Sequence, residues 1–156
     1  MSDNSIMQKT FGELSTTELY AFLKLRTDVF YVEQKVDESE LDGRDLEPTT
    51  VHYWLAEGDR VVAYLRVIED EVAEHLDAHR LIGRVVVAAD RRGEGLAQRL
   101  IAAVLDRYGH EALLLHAQRY IAGLYAKFGF EAFGDEFSEA GILHLSMYRA
   151  AHLAPR

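Results

Sequence analysis

Residues 81–117 constrain the fold of this chain more than any other part of the sequence. An apolar run, Leu81–Ala89, leads through a short glycine-containing turn into Gly95–Tyr108, whose apolar side chains recur at helical spacing. A second apolar run, Leu113–Ala117, follows. A strand, a helix and a strand in this order form a crossover, which makes the two strands parallel. The sequence therefore predicts an α/β fold with a mixed, partly parallel central sheet flanked by helices.

Further patterns predict elements on both sides of this crossover. Ser15 and Glu18 have capping-box spacing and open a segment with helical periodicity. Gly58 and Asp59 separate two almost continuously apolar runs, as a hairpin turn between strands covered on both faces would. The predicted elements, in the order α, β, β, β, α, β, α, β, β, are a helix at 15–28, strands at 51–57, 60–69 and 81–89, a helix at 95–108, a strand at 113–117, a helix at 121–128 and strands at 130–137 and 142–147.

Composition limits the classes of function that this chain can have. Its 156 residues predict a single domain over 1–156, and its net charge of −9 argues against a broad nucleic-acid surface. The absence of cysteine rules out disulfides, thiolate catalysis and zinc sites with cysteine ligands. Since the sequence has no apolar leader run and no membrane span, we expect a soluble cytoplasmic protein whose partners include neither nucleic acid nor membrane. A homodimer is compatible with the sequence.

The turn between the third strand and the long helix is typical of an anion site. Gly93 and Gly95 let main-chain N–H groups converge on an anion, and the helix N-terminus adds partial positive charge. Arg91 and Arg92 can add charge-assisted contacts to a phosphate. A dinucleotide fingerprint needs a third glycine where Gln98 stands, and no P-loop motif is present. The same glycines would also suit a tight strand-to-helix turn without a ligand.

Two segments in this order resemble the GNAT superfamily of N-acetyltransferases. Arg92–Ala97 is similar to its R/Q-x-x-G-x-G/A turn, whose backbone amides hold the pyrophosphate of acetyl-CoA, and Leu124–Phe130 is similar to its L-Y-x-x-x-G-F segment. Further matches, spread over residues 25 to 147, resemble the ElaA-like subgroup: Leu25–Arg26, Val29–Phe30, Glu33–Gln34, Asp42–Gly43 with Asp45, Ile82–Val85, Ala117–Gln118, and Gly141–Ile142 with His144.

This resemblance implies a binding site for acetyl-CoA as co-substrate. The backbone groups of Val85 and Val87 would align the pantetheine and polarise the acetyl carbonyl. The pyrophosphate would lie at the glycine turn, and Gln118 stands where many members carry asparagine. The implied acetyl-CoA-binding residues are Val85, Val87, Arg91, Arg92, Gly93, Glu94, Gly95, Leu96, Ala97 and Gln118.

The reaction that the resemblance implies is acetyl transfer to a primary amine by direct attack in a ternary complex, without a metal. The chain has no cysteine and no serine in Gly-x-Ser-x-Gly context, which argues against a covalent acyl-enzyme. Several members carry a glutamate base at the position of Leu81, which cannot accept a proton. Leu81 therefore leaves a second hypothesis open, a non-catalytic module that binds or senses acyl-CoA.

Acetyl transfer needs a neutral nucleophile and a proton for the departing thiolate. An alkyl amine with a pKa of ~10.4 is neutral in only about one molecule in 2,500 at pH 7, so a base would raise the rate. Tyr125 matches the family tyrosine whose hydroxyl protonates the thiolate, and its alternative role is a core aromatic. Glu33, His116 and His144 are candidate bases, and each has a structural hydrogen-bonding role as its alternative.

Charged residues near the predicted first helix are candidate acceptor ligands. Arg26 lies in an otherwise apolar element, where an unpaired charge is costly, so it should pair with Glu33 or with a substrate carboxylate. Asp42 and Asp45 match the subgroup within the acidic stretch 37–47, which could attract a cationic amine or could be a solvated loop. We therefore assign Arg26, Asp42 and Asp45 as candidate acceptor-binding residues.

Two further arginines and two histidines complete the candidates. Arg66 and Arg84 raise the same pairing question as Arg26, since both lie in predicted strands. His75 and His79 stand four residues apart, as metal ligands on a helix can, but the sequence offers neither an HExxH pattern nor a third ligand. No metal site is predicted.

Overall fold

A computed structural model describes residues 5–152, so the predicted domain ends at 1 and 156 lie outside the described residues. The strands are β1 Met7–Lys9, β2 Val51–Glu57, β3 Arg60–Glu69, β4 Arg80–Val87, β5 Leu113–Gln118, β6 Glu131–Glu139 and β7 Ile142–Arg149. The α-helices are α1 Thr16–Arg26, α2 Leu96–Tyr108 and α3 Ala122–Ala126. A π-helix, Thr27–Glu33, continues α1, and 3-10 turns occupy Phe11–Glu13, Arg44–Leu46, Ala89–Arg91 and Arg119–Ile121.

The strands form one mixed sheet in the order β1-β2-β3-β4-β5-β7-β6. Only β4 and β5 pair in parallel among the described strands, and α2 forms the crossover between them. The predicted fold class is therefore confirmed. Each element that the sequence predicts is present, and the strand β1 is an addition that pairs with the edge of β2. The prediction missed β1 because three residues are too few to show a period.

The beginning and the end of the first helix have different causes. Ser15 Oγ accepts a hydrogen bond from the Glu18 N–H at 3.1 Å, and the Glu18 carboxylate accepts one from the Ser15 N–H at 2.9 Å. This reciprocal pair is the capping box that the sequence predicts. The C-terminal end differs from the prediction, because the α-helix ends at Arg26 and the chain continues as a π-helix to Glu33. Such π-segments are uncommon and often occur at functional sites.

The two long helices cover opposite faces of the sheet. Phe22 of α1 stacks on His52 and Tyr64, with ring centroids 4.9 and 4.6 Å apart. On the other face, Tyr108 of α2 lies under the guanidinium of Arg80 at 4.2 Å. Eight consecutive residues of β3 are buried, as the prediction of a strand covered on both faces requires. No helix within residues 5–152 is long and apolar enough to cross a membrane.

A bulge in β4 opens the sheet on one side of the crossover. Tyr64 of β3 pairs with Val86, while Arg66 pairs with Gly83, so β4 contains one extra residue at this point. Arg84 adopts a left-handed conformation there, with φ of +54°. Among the described residues, β4 pairs with β5 only from Arg80 to Ile82. Beyond that point the two strands separate, and the space between them is called the slot below.

Candidate active site

Unpaired backbone groups of β4 line one wall of the slot. The Ala88 N–H donates to the Val62 carbonyl of β3 at 2.8 Å. Since backbone groups alternate in direction along a strand, those of Val87 and Val85 point to the opposite edge, toward the slot. The Val87 carbonyl accepts a hydrogen bond from Arg92 Nε at 3.2 Å. The structure therefore leaves the amides of these two valines available to a ligand that enters between β4 and β5.

The glycine turn lies where this wall ends. Gly93 and Gly95 have φ of +85° and +78°, a conformation in which glycine avoids the strain of other residues. Gly95 is the N-cap of α2 and offers no side-chain cap, so the N–H groups of the first helical turn remain for a ligand or solvent. The Leu96 side chain is buried, and Ala97 is half-buried. An anion at this turn would therefore meet backbone N–H groups rather than side chains, and the anion site itself stays a prediction.

Both arginines of the turn already have carboxylate partners. Arg91 pairs with Glu57 of the β2–β3 hairpin and, at 2.9 Å, with Glu94. Arg92 makes a two-fold ion pair with Glu33, with N–O distances of 2.6 and 2.8 Å. Hydrogen bonding to Arg92 holds the pKa of Glu33 below its ordinary value. The predicted phosphate contacts of Arg91 and Arg92 stay predictions, because each would require an exchange of partners.

The residue after Glu33 reaches the other wall of the slot. The side-chain amides of Gln34 and Gln118 exchange hydrogen bonds at 3.1 and 3.4 Å. Gln118 is the last residue of β5, whereas Arg92 follows β4. The end of the π-helix therefore contacts both sides of the slot through two consecutive side chains. This position was not predicted for Gln34, although the Glu33–Gln34 match to the subgroup was the signal that could have found it.

Tyr125 lies on the helix that follows β5. Its side chain is buried with only 3% exposed, and its ring contacts Phe130 edge-on at 6.3 Å. Burial raises the pKa of the Tyr125 phenol well above its ordinary value. The hydroxyl therefore stays protonated at neutral pH, as a proton donor must. The core position also satisfies the structural alternative, so geometry alone supports both roles.

Two histidines lie on the α1 face of the sheet and flank one aromatic ring. His116 of β5 contacts Phe137 edge-on at 5.7 Å, and His144 of β7 stacks on it at 5.5 Å. His144 stands directly opposite Gln118 in the β5–β7 register, and His116 stands opposite Ser146. Both predicted base candidates are thus next to the slot, on the strand that borders it and on its neighbour.

The polar contacts of these histidines differ. His116 Nδ1 lies 2.9 Å from Ser146 Oγ, and its Nε2 lies 2.9 Å from the Glu74 carboxylate. His144 Nδ1 lies 2.8 Å from the Ile142 carbonyl. Its Nε2 has the Glu139 carboxylate at 3.9 Å, beyond hydrogen-bonding distance. The sequence could not reveal Ser146, Glu74 or Phe137, because these residues meet the histidines only through strand pairing and a loop.

A second group of charges, the interior network, lies beneath α1. Arg26 Nη1 and Arg66 Nη1 both donate to Asp45 Oδ1, at 2.8 and 2.9 Å. Arg26 has no exposed surface, and Asp45 is 5% exposed. Although burial opposes it, hydrogen bonding and charge from the two arginines hold the pKa of Asp45 below its ordinary value. The structure therefore places Arg26 and Asp45 in the interior rather than at an acceptor surface.

The remaining members of the interior network reach the surface. Arg84 donates to Glu40 Oε2 at 3.1 Å, and Arg66 donates to Asp42 Oδ1 at 2.9 Å. Asp42 keeps 28% of its side chain exposed, so it stays a predicted acceptor ligand. Glu33 is not the partner of these arginines, contrary to one of the predicted pairings. The interior network comprises Arg26, Arg66, Arg84, Glu40, Asp42 and Asp45.

The histidines of the β3–β4 connection have structural contacts. His75 stacks on Phe133 with centroids 3.7 Å apart. His79 Nδ1 lies 3.0 Å from the Asp70 carbonyl. No group of three or more metal-ligating side chains that could hold an ion occurs between residues 5 and 152.

Comparison with known proteins assigns the chain to a family. The model of the acetyltransferase (GNAT) domain matches residues 18–150. A UPF0039 protein of Mycobacterium tuberculosis is 41% identical over 140 residues, which cover 88% of this chain and 87% of that protein. The crystal structure of Escherichia coli ElaA has a TM-score of 0.85 at 32% identity and covers 94% of this chain and 99% of its own. That of an acyl-CoA N-acyltransferase from Pseudomonas aeruginosa has a TM-score of 0.83 at 34% identity, with 95% and 100% covered. The chain therefore belongs to the GNAT family of acetyltransferases and is a homologue of ElaA.

Proposed function

We propose that this protein transfers the acetyl group of acetyl-CoA to a primary amine by direct attack in a ternary complex. The observation that carries the proposal is the slot between β4 and β5, which ends at an uncapped helix N-terminus. A thioester in the slot would meet the amides of Val85 and Val87, and its pyrophosphate would meet the first turn of α2. Backbone N–H groups and a helix dipole bind phosphate oxygens without further help from side chains.

The residues around the slot fit an acyl-CoA molecule. A Cβ atom placed on Gly93 or Gly95 would meet nothing within 4 Å, so the space in front of the turn is open. The amide of Val85 or Val87 can donate to the thioester oxygen, which becomes an oxyanion when the amine attacks. The Tyr125 hydroxyl, which is protonated at neutral pH, can then protonate the departing sulfur.

Transfer of labelled acetyl groups tests the proposal directly. The protein is incubated with acetyl-CoA carrying an isotope in the acetyl group and with a panel of alkyl amines, amino acids and peptides. We expect label in at least one amine, together with release of free CoA. The absence of label in every acceptor would contradict the proposed function.

A second candidate, a module that binds or senses acyl-CoA without turnover, rests on two residues. Leu81 packs in a small apolar cluster with Ala112 and Leu114, so the position where several family members carry a base is apolar here. The carboxylate of Glu33, the candidate base near the turn, forms an ion pair with Arg92. Calorimetry combined with the labelling assay separates the two functions, because a sensor binds CoA and acetyl-CoA tightly yet leaves the thioester intact even with amines present.

A further inference from the structure

The proposed reaction needs a base, and the structure distinguishes the three candidates by their basicity and by their free lone pairs. A base must present an unoccupied lone pair toward the amine and hold the proton that it takes up. Glu33 holds a proton weakly, because hydrogen bonding to Arg92 lowers its pKa, and an exposed carboxylate that Arg92 had left would still have an ordinary pKa of ~4.3. The choice therefore lies between His116 and His144, which share one face of the sheet and one aromatic neighbour.

Hydrogen-bond partners determine the neutral tautomer of each ring. The Ile142 carbonyl can only accept, so His144 carries its proton on Nδ1 and its lone pair on Nε2. The Glu74 carboxylate also only accepts, so His116 carries its proton on Nε2 and its lone pair on Nδ1. That lone pair accepts the Ser146 hydroxyl at 2.9 Å. The two histidines therefore have opposite tautomers, and only the lone pair of His144 is free.

The position of His144 suits a base for an amine that approaches the slot. It stands across from Gln118, the last residue of β5, beyond the point at which β4 and β5 stop pairing. Stacking on Phe137 and the bond to Ile142 fix the ring plane, as a preorganised base requires. Glu139 lies 3.9 Å from Nε2 and is half-exposed, so a protonated imidazole would have a carboxylate beside it.

We propose that His144 Nε2 is the general base, an assignment that rests on the proposed acetyl transfer. The ammonium group of the acceptor loses one proton to Nε2, and the neutral amine then forms the C–N bond with the acetyl carbon. The C–S bond breaks, and the sulfur takes the proton of the Tyr125 hydroxyl. The proton shed by the new amide nitrogen restores the phenol, and His144 releases its proton to solvent past Glu139.

Two matched variants test this assignment. In His144→Asn the side-chain amide still donates to the Ile142 carbonyl but offers no basic nitrogen, and His116→Asn is the corresponding change at the second ring. At saturating acetyl-CoA and pH 7, we expect His144→Asn to lower kcat/KM for an alkyl amine by about 10²-fold, within the range of general acid–base catalysis. We expect His116→Asn to change it far less.

A second acceptor separates loss of the base from loss of the fold. An aromatic amine is already neutral at pH 7, so His144→Asn should retain most of its activity toward it and bind CoA normally by calorimetry. An equal loss with both amines, or a larger loss in His116→Asn than in His144→Asn, would overturn the assignment while leaving the proposed function intact. A native protein that acetylates neither amine would instead contradict the proposed function, and the assignment with it.

Discussion

The arginine–carboxylate pairs of the interior network and of the glycine turn lie in opposite environments. In the interior network, the side chains of Arg26 and Arg66 are 0% and 4% exposed. At the glycine turn, Arg92 and Glu33 are 43% and 41% exposed. The same type of ion pair is therefore buried in the interior network and well exposed to solvent at the glycine turn.

The difference shows which pairs can exchange partners during binding. Removing one member of a buried pair leaves a charge without water or counter-charge, so the interior network maintains the arrangement of α1, β3 and the 40–47 loop. An exposed pair is weak, because water replaces the lost contact. Arg92 can therefore leave Glu33 for a phosphate at a small cost in free energy, whereas Arg26 stays in its buried ion pairs.

The largest expected effect is on stability, from Asp45→Asn in the interior network. The change removes the carboxylate shared by Arg26 and Arg66, and we expect the free energy of unfolding to fall by about 3–5 kcal/mol. Urea titration measures this loss. The control is Asp90→Asn, which breaks the exposed ion pair with Arg60 and should leave the free energy of unfolding almost unchanged. Similar losses in both variants would contradict the distinction between the regions.

Binding of CoA should depend most on the backbone of the glycine turn. Gly95→Asp places a carboxylate in front of the N–H groups that the phosphate would contact, so we expect CoA binding to be lost. The control Gly95→Ala adds only the strain of a side chain at φ of +78° and should keep measurable affinity. Calorimetry with CoA compares the two variants. Unchanged affinity in Gly95→Asp would show that the turn is only structural.

Tyr125→Phe should lower kcat by about 10²-fold, because the thiolate then lacks its proton donor. The phenyl ring keeps its contact with Phe130, so the KM for acetyl-CoA should stay close to its original value. Steady-state kinetics with the best amine of the panel measures both constants. A variant with full kcat would assign Tyr125 to the core alone.

Acid should destabilise the protein through His52, which contacts the Asp45 carbonyl, and through the carboxylates of the interior network. Burial lowers the pKa of His52, so the stability that depends on this residue is present above about pH 6.5 and is lost as the pH falls below it. Burial opposes ionisation of Asp42, but Arg66 lowers its pKa. The pKa of Asp45 is lowered in the same way by its arginine partners. Their contribution is therefore complete above about pH 4 and is lost at lower pH. Urea titrations from pH 8 to pH 3 should show both losses, and a flat profile would contradict them.

The smallest expected effect is a gain in affinity for acetyl-CoA. Glu33→Gln removes the carboxylate that competes with phosphate for Arg92, so acetyl-CoA should bind up to about fivefold more tightly, the equivalent of an exposed pair of ~1 kcal/mol. The matched control Glu94→Gln leaves Arg91 paired with Glu57 and should change affinity less. A fall in kcat without a change in affinity would instead identify Glu33 as the base.

The crossover and its glycine turn could be predicted from the sequence alone. Leu81–Ala89, the turn and Gly95–Tyr108 are adjacent in the chain, and their periods and glycines express local backbone preferences. The handedness rule for parallel strands then leaves little choice of topology. The capping box at Ser15 is local in the same sense and was predicted correctly.

The tertiary structure decided what depends on residues that are distant in sequence. Arg92 meets Glu33 across 59 positions and Gln34 meets Gln118 across 84, so no local pattern could indicate either pair. The left-handed Arg84 that opens the slot is favoured by its contacts with Glu40, which is 44 positions away. The roles of the two histidines likewise depend on tautomers that their partners determine. The sequence thus determined the glycine turn with its free helix N-terminus, because backbone geometry is local. The fold decided which side chains are paired and which are free, because pairing joins residues that are distant in the chain.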